Sequence, residues 1–157
     1  MKLSTNKTLE QANTAYKKKE FELAESLYRE ILKDKPTHPA ASHNLGILLA
    51  SLNKHTEALS LFKTATQNKT IVEQYWISYI NFLIEQKNFI EAELACKKAL
   101  EFHPKSPLIY LKFGSILYIL NRPDDASVKF KKAIELQPEF AEAHFNLGIL
   151  FYKFGSK

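Results

Sequence analysis

Apolar residues return at helical spacing along the whole chain, in paired stretches separated by short polar breaks. Leu45, Leu48, Leu49 and Leu52 mark one stripe and Ala58, Leu61, Phe62 and Ala65 the next, with Asn53-Lys54 between them. Similar breaks fall at Gln86-Lys87-Asn88 and Asn121-Arg122. Pro123 stands where a second stripe begins, a place that tolerates a missing N–H, whereas Pro36, Pro104 and Pro138 follow second stripes and stop them. The spacing predicts nine helices, over 5–18, 21–34, 39–52, 55–68, 73–86, 89–102, 107–120, 123–136 and 141–154. Residues 1–4 are expected to lack structure.

The pattern is periodic. Written in rows of 34 residues from Thr5, Pro39, Glu73, Pro107 and Ala141, the chain aligns without insertion or deletion. The eighth place reads Ala12, Gly46, Ile80, Gly114, Gly148, and the twentieth Ala24, Ala58, Ala92, Ala126. The twenty-fourth reads Tyr28, Phe62, Cys96, Phe130, the twenty-seventh Ile31, Ala65, Ala99, Ala133, and the thirty-second Pro36, Thr70, Pro104, Pro138. Small residues in the eighth and twentieth places let two antiparallel helix backbones approach closely, and the large twenty-fourth residue fills the space beside them. Such a period means stacked helical hairpins, with function on a repeated surface rather than in one pocket.

These columns resemble the tetratricopeptide repeat family, most closely in Ala141-Glu-Ala-His-Phe-Asn-Leu-Gly148 and from Asp125-Ala126 to Pro138. The resemblance covers practically the whole chain as one array over 1–157, with repeats 5–38, 39–72, 73–106 and 107–140 and a half repeat 141–157. It implies an all-α, right-handed α-solenoid whose first helices line a concave groove. Three departures are local: Ile80 for a small residue, Cys96 for an aromatic and Thr70 for proline. Ile80 adds bulk where Cys96 removes it in the same row, so the two are expected to touch as a volume-conserving swap. Cys96 lies on a buried stripe between Ala92 and Ala99, which favours packing over thiol chemistry.

The family resemblance also implies that the second, fifth, sixth, ninth, twelfth and thirteenth places of each first helix face the groove. The fifth-place set is Leu9, His43, Ile77, Leu111 and Phe145; for Ile77 and Leu111, packing against neighbouring first helices is an equal alternative. The candidate groove residues are Asn13, Tyr16, His43, Asn44, Ile47, Ile77, Asn81, Lys112, Tyr118, Phe145, Asn146 and Tyr152. Amides among aromatic and aliphatic side chains suit an extended peptide or an inserted helix. Family members that clamp acidic chaperone tails use lysine and arginine beside asparagines. Here those places hold Leu9, Asn13, Asn44, Gln74 and Ser78, so every cation is missing and that ligand is not expected. Asn44 and Asn146 resemble members of the asparagine ladder of O-linked N-acetylglucosamine transferases, but Ser78 and Lys112 interrupt it.

Charge and composition narrow the partner classes. The net charge of +5 includes one basic residue per row in the twenty-fifth place, Arg29, Lys63, Lys97 and Lys131. Glu101 and Glu135 stand four residues after two of them, so a solvated face is expected and nucleic acid is not. His38, His43, His55, His103 and His144 show no metal-ligand spacing, there is no glycine-rich phosphate loop, and Asp124-Asp125 suit the first turn of a helix. No catalytic residue, metal, cofactor or small-molecule substrate is expected. A single cysteine fits a reducing compartment, and the polar, lysine-rich start has no apolar run of signal or membrane length, so a cytoplasmic protein without membrane association is expected. Leu147, Leu150 and Phe151 are expected to be left partly uncovered, which favours self-association through the half repeat or a place in a longer protein. The expected function is an interaction scaffold for a protein or peptide segment; the alternative is the recruitment region of a larger enzyme such as a glycosyltransferase or sulfotransferase.

Overall fold

A computed structural model describes residues 4–67 and 72–155. The described residues form nine helices: α1 (Thr5–Lys17), α2 (Phe21–Asp34), α3 (Pro39–Ser51), α4 (His55–Gln67), α5 (Glu73–Glu85), α6 (Phe89–Phe102), α7 (Pro107–Ile119), α8 (Pro123–Leu136) and α9 (Ala141–Phe154). No strand occurs among them. Each helix starts where the apolar pattern places it, and the ends differ by at most one residue; the expected end of α4 at 68 lies outside the described residues, as does Thr70. Ser4, expected to be unstructured, caps α1 by accepting a hydrogen bond from the Lys7 N–H at 3.4 Å. His38, Asn88 and Ser106 cap α3, α6 and α7 in the same way, and prolines occupy the first position of α3, α7 and α8.

The hairpin turns share one backbone device. Lys19, Asn53, Lys87 and Asn121 all occupy the fifteenth place of their rows and all have φ between 55° and 63°. The residue after each donates its N–H to the carbonyl five residues back: Glu20 to Ala15, Lys54 to Leu49, Asn88 to Leu83 and Arg122 to Leu117, at 2.8–2.9 Å. A left-handed residue closed by such a bond satisfies the last carbonyls of the first helix and reverses the chain at once. Asparagine adopts this conformation more readily than lysine does.

The chain divides into two compact units, residues 1–79 and 80–157, with the division inside α5. In the first, α1 packs on α2 and α3, and α3 packs on α4. Ala12, Ala24 and Ala58 are fully buried, and Tyr28 and Phe62 almost so. A Cβ placed on Gly46 would meet the Phe62 ring at 3.3 Å, so the glycine and the aromatic are the two halves of one contact. In the second, α6 packs on α7, α7 on α8, and α9 on both α7 and α8. Here the contact is tighter: a Cβ on Gly114 would come within 2.5 Å of Phe130.

Ile80 and Cys96 are both fully buried. Burial pushes the Cys96 thiol up to about 12, helped by the Glu93 carboxylate and opposed by Lys112, so the group stays protonated and packs as a small hydrophobe. Leu150, expected to stay uncovered, is only 4% exposed, because the inner face of α9 lies against α7 and α8. Phe151 is 49% exposed.

Candidate peptide-binding site

Two hollows of about 220 and 190 Å³ are built from the same places of the repeat, one in each unit. In the first unit, α1 supplies Asn13 and, one turn further on, the neighbouring Tyr16 and Lys17. Tyr28 of α2 forms the floor, and Asn44 and Ile47 of α3 form the far wall. In the second unit, three rows on, the corresponding residues are Ser115, Tyr118 and Ile119 of α7, Phe130 of α8, and Asn146 and Ile149 of α9.

Their polar chemistry differs. The Tyr28 hydroxyl donates to Asn13 Oδ1 at 2.8 Å, and Asn44 Nδ2 donates to the same oxygen at 2.8 Å. Asn44 Oδ1 lies 2.9 Å from His43 Nδ1, and His43 Nε2 lies 2.9 Å from Ser78 Oγ, which accepts from Gln74 Nε2 at 3.2 Å. Because Asn44 Nδ2 is a donor here, its oxygen must accept, which places the imidazole proton on Nδ1. Nε2 then accepts from the Ser78 hydroxyl, and every member of the relay has a consistent role. Both ends of the Asn44 amide are thus engaged within the protein.

In the second hollow Phe130 has no hydroxyl to start such a relay. Ser115 Oγ donates to the Leu111 carbonyl of its own helix at 3.0 Å. Asn146, half-buried, has no hydrogen-bond partner among the described residues, so its N–H₂ and C=O are both available to a ligand. Lys153 Nζ donates to the Tyr118 hydroxyl at 3.2 Å and lies 5.4 Å over its ring, while Phe154 meets that ring edge-on at 6.2 Å. These contacts hold the Tyr118 wall in place.

The structure therefore gathers six of the expected groove residues into hollows: Asn13, Tyr16, Asn44 and Ile47 in one, Tyr118 and Asn146 in the other. His43 and Ile77 are 6% and 8% exposed and belong to the core. His43 acts behind the wall, through Asn44, with the Tyr75 ring centroid 4.5 Å from its own. Asn81 and Lys112 are half-buried, Phe145 and Tyr152 exposed, and none of the four lines either hollow. Tyr28 and Phe130 were missed as lining because twenty-fourth-place aromatics read as gap fillers; the same ring does both tasks. Lys17 and Ile119 hold the thirteenth place, so the register already contained the signal for them.

Burial holds the His43 imidazole below its ordinary value, against the opposing hydrogen bond to Asn44. Above the ordinary histidine value, near 6.5, folded and unfolded chains are both neutral at this group. As pH falls below it, the unfolded chain takes up a proton that the native imidazole refuses, so stability falls until the lower native value is reached. His43→Gln is expected to lose less stability than the wild type between pH 7.5 and 5.5, as measured by urea unfolding at each pH.

The basic column is largely paired. Arg29 bridges Glu25 and Glu57 at 2.7 and 2.6 Å, and Lys97 pairs with Glu93 at 2.7 Å rather than with Glu101. Lys131 lies 5.7 Å over the Phe151 ring, and Glu135 pairs instead with Lys132 at 2.6 Å. Arg122 joins Glu93 and Asp125, which places Asp125 in a helix-start ion pair. No helix among the described residues is long and apolar enough to cross a membrane.

Residues 9–70 match a family model described as tetratricopeptide repeat, and residues 114–155 match one described as TPR repeat. A TPR repeat-containing protein of Methanocaldococcus jannaschii is 31% identical over 120 aligned positions, with 71% of this chain and 20% of that protein covered. Protein O-mannosyl-transferase TMTC3 of Mus musculus is 28% identical over 148 residues, covering 85% of this chain and 16% of the transferase. The chain thus spans 20% or less of these relatives' length. The solved structure of YrrB, a TPR protein with an unusual peptide-binding site, superposes with a TM-score of 0.78 at 20% identity, over 96% of this chain and 78% of YrrB.

Proposed function

Because the chain belongs to the tetratricopeptide repeat family, we propose that it is a non-catalytic interaction scaffold that holds an extended peptide or protein segment on its first helices. The observation that carries this reading is the half-buried Asn146 amide, unpaired among the described residues and set between Tyr118, Phe130 and Ile149. An extended peptide offers one N–H and one C=O per residue, which is what a free carboxamide takes, while an apolar side chain of that peptide fills the hollow. The repeats from 5–38 to the half repeat at 141–157 act in this reading as one array, with Asn13, Tyr16 and Asn44 as the corresponding contact in the first unit. The comparison with YrrB supports a peptide as the class of ligand. A single cysteine fits a reducing compartment, and on that ground we place the scaffold in the cytoplasm.

A second reading is favoured by the similarity to TMTC3: the repeats recruit a polypeptide to a catalytic region of a larger enzyme. Both readings use the same hollows, and the extent of the full reading frame distinguishes them.

The test is selection of random dodecapeptides displayed on phage, followed by calorimetry. Selected peptides are expected to bind Asn146→Ala roughly tenfold or more weakly than the wild type, since a carboxamide hydrogen bond in a half-buried site is worth on the order of 1–3 kcal/mol. Equal binding by the wild type and a Tyr118→Ala/Asn146→Ala double variant would remove the groove from the function.

A further inference from the structure

Building on the groove reading, on which this rests, we propose that Lys112 receives an aspartate or glutamate side chain of the bound segment. Lys112 holds the sixth place of its row, as Asn44 and Asn146 do, and each of those two lines a hollow. One row before the second hollow, the register brings together Asn81, Ile84 and Glu85 of α5, Cys96 of α6, and Lys112 and Ser115 of α7. Ser115 also lines the second hollow, so the two places adjoin along α7.

What singles out Lys112 is a charge left without a counter-charge. It is half-buried and makes no hydrogen bond or ion pair among the described residues. The other half-buried lysines are engaged. Lys129 lies 4.8 Å over the Phe113 ring, Lys132 pairs with Glu135 at 2.6 Å, and Lys63 has a partner too. Burial and Glu93 push the Cys96 thiol up while Lys112 opposes them, which sets the ammonium near the floor place of the preceding row. The thiol stays protonated and cannot neutralise it. Glu85, the carboxylate that the register brings to this place, makes no ion pair with Lys112. An ammonium partly withdrawn from water and lacking a counter-ion gains most from a carboxylate that a ligand brings.

Asn81, half-buried, also makes no hydrogen bond among the described residues. Its carboxamide can therefore take the backbone of the segment, as Asn146 takes it one row on. Neighbouring helices pack about 8–10 Å apart, and an extended peptide advances about 3.3 Å per residue. The acidic residue then stands roughly three positions from the apolar residue seated in the second hollow. Acidic-tail clamps hold the end of a chain with two cations. A single lysine beside a continuing groove suits one side chain within a segment.

Dodecapeptides selected on the wild type and synthesised with amidated C-termini test this by calorimetry, in a double-mutant cycle. An aspartate or glutamate is expected about three positions from the apolar residue. Lys112→Met keeps the apolar stem and removes the charge, and should bind the acidic peptide roughly tenfold more weakly than the wild type does. Replacing the peptide's acid by its amide should cost the wild type the same factor and cost Lys112→Met nothing; the peptide half of the cycle leaves the protein unaltered. Raising sodium chloride from about 50 to 500 mM should weaken the wild-type complex and leave that of Lys112→Met nearly unchanged. The thermal midpoint of Lys112→Met should stay equal or rise, because an unpaired half-buried charge is lost. Peptides that need Asn146 yet bind Lys112→Met as tightly as the wild type overturn the acidic subsite and leave the groove reading standing. So does an acid requirement met only by a free C-terminal carboxylate. Selection of no peptide, or equal binding by the Tyr118→Ala/Asn146→Ala double variant, overturns both.

Discussion

Phe130→Ala is expected to lower the unfolding free energy by about 3–5 kcal/mol, the range for deleting a large buried aromatic. The ring is 2% exposed and plugs the space at Gly114, which α7 leaves open by carrying no side chain there. Truncation leaves a cavity that cannot collapse: the fully buried Ala126 and Ala133 on the same helix are already small, and the backbone at Gly114 is held by its own helix. The same ring floors the second hollow, so the loss should extend to peptide binding at temperatures where the variant remains folded. Urea unfolding followed by helical circular dichroism measures the first effect. A change below about 1 kcal/mol would mean that the hairpin does not depend on this plug.

Gly114→Ala is expected to cost about 1–3 kcal/mol, even though alanine is the better helix former by about 1 kcal/mol. The added methyl would stand 2.5 Å from one ring carbon of Phe130 and 2.6 Å from another, so the ring or a helix must shift. The other two repeat glycines supply controls within one protein. At Gly46 the nearest ring atoms are at 3.3 Å, a distance that small adjustments relieve, and the two effects should roughly cancel. At Gly148 nothing is near, and alanine should stabilise by about 0.5–1 kcal/mol. Thermal midpoints of the three alanine variants should therefore fall in the order Gly148, Gly46, Gly114 from highest to lowest. A neutral result at Gly114 would contradict the close approach.

The fold was legible because each row repeats one solution to one packing problem. Alanine in the twentieth place, glycine or alanine in the eighth and an aromatic in the twenty-fourth can be satisfied together only by a tight hairpin, and the in-phase agreement of several rows fixes every helix start. The site was legible in part. The family resemblance implies the face on which Asn13, Tyr16, Asn44, Tyr118 and Asn146 stand, but side-chain depth depends on the neighbouring helix. That is why His43, expected in the groove, lies in the core, where the first half of α5 brings Tyr75 and Ser78 against it, while Ile77 takes the packing alternative of its two expected places. Leu150 was misjudged for a related reason, since the first helix of a row has an inner face that packs on the row before it. Nothing in the columns distinguishes an asparagine engaged in a relay from an uncommitted one. That difference between Asn44 and Asn146 follows from the partners: Asn13 and His43, which hold the Asn44 amide, are replaced around Asn146 by Ser115 and Phe145.

The left-handed residue in the fifteenth place also bears on how such a chain can change over generations. Its conformation and the bond that closes it set where the next helix begins, so gaining or losing one or two residues there would rotate the following apolar stripe away from its neighbour. Copying or excising a whole row keeps every junction intact. Heritable change in length should therefore come in complete modules, with new specificity arising afterwards by point substitution on the exposed walls.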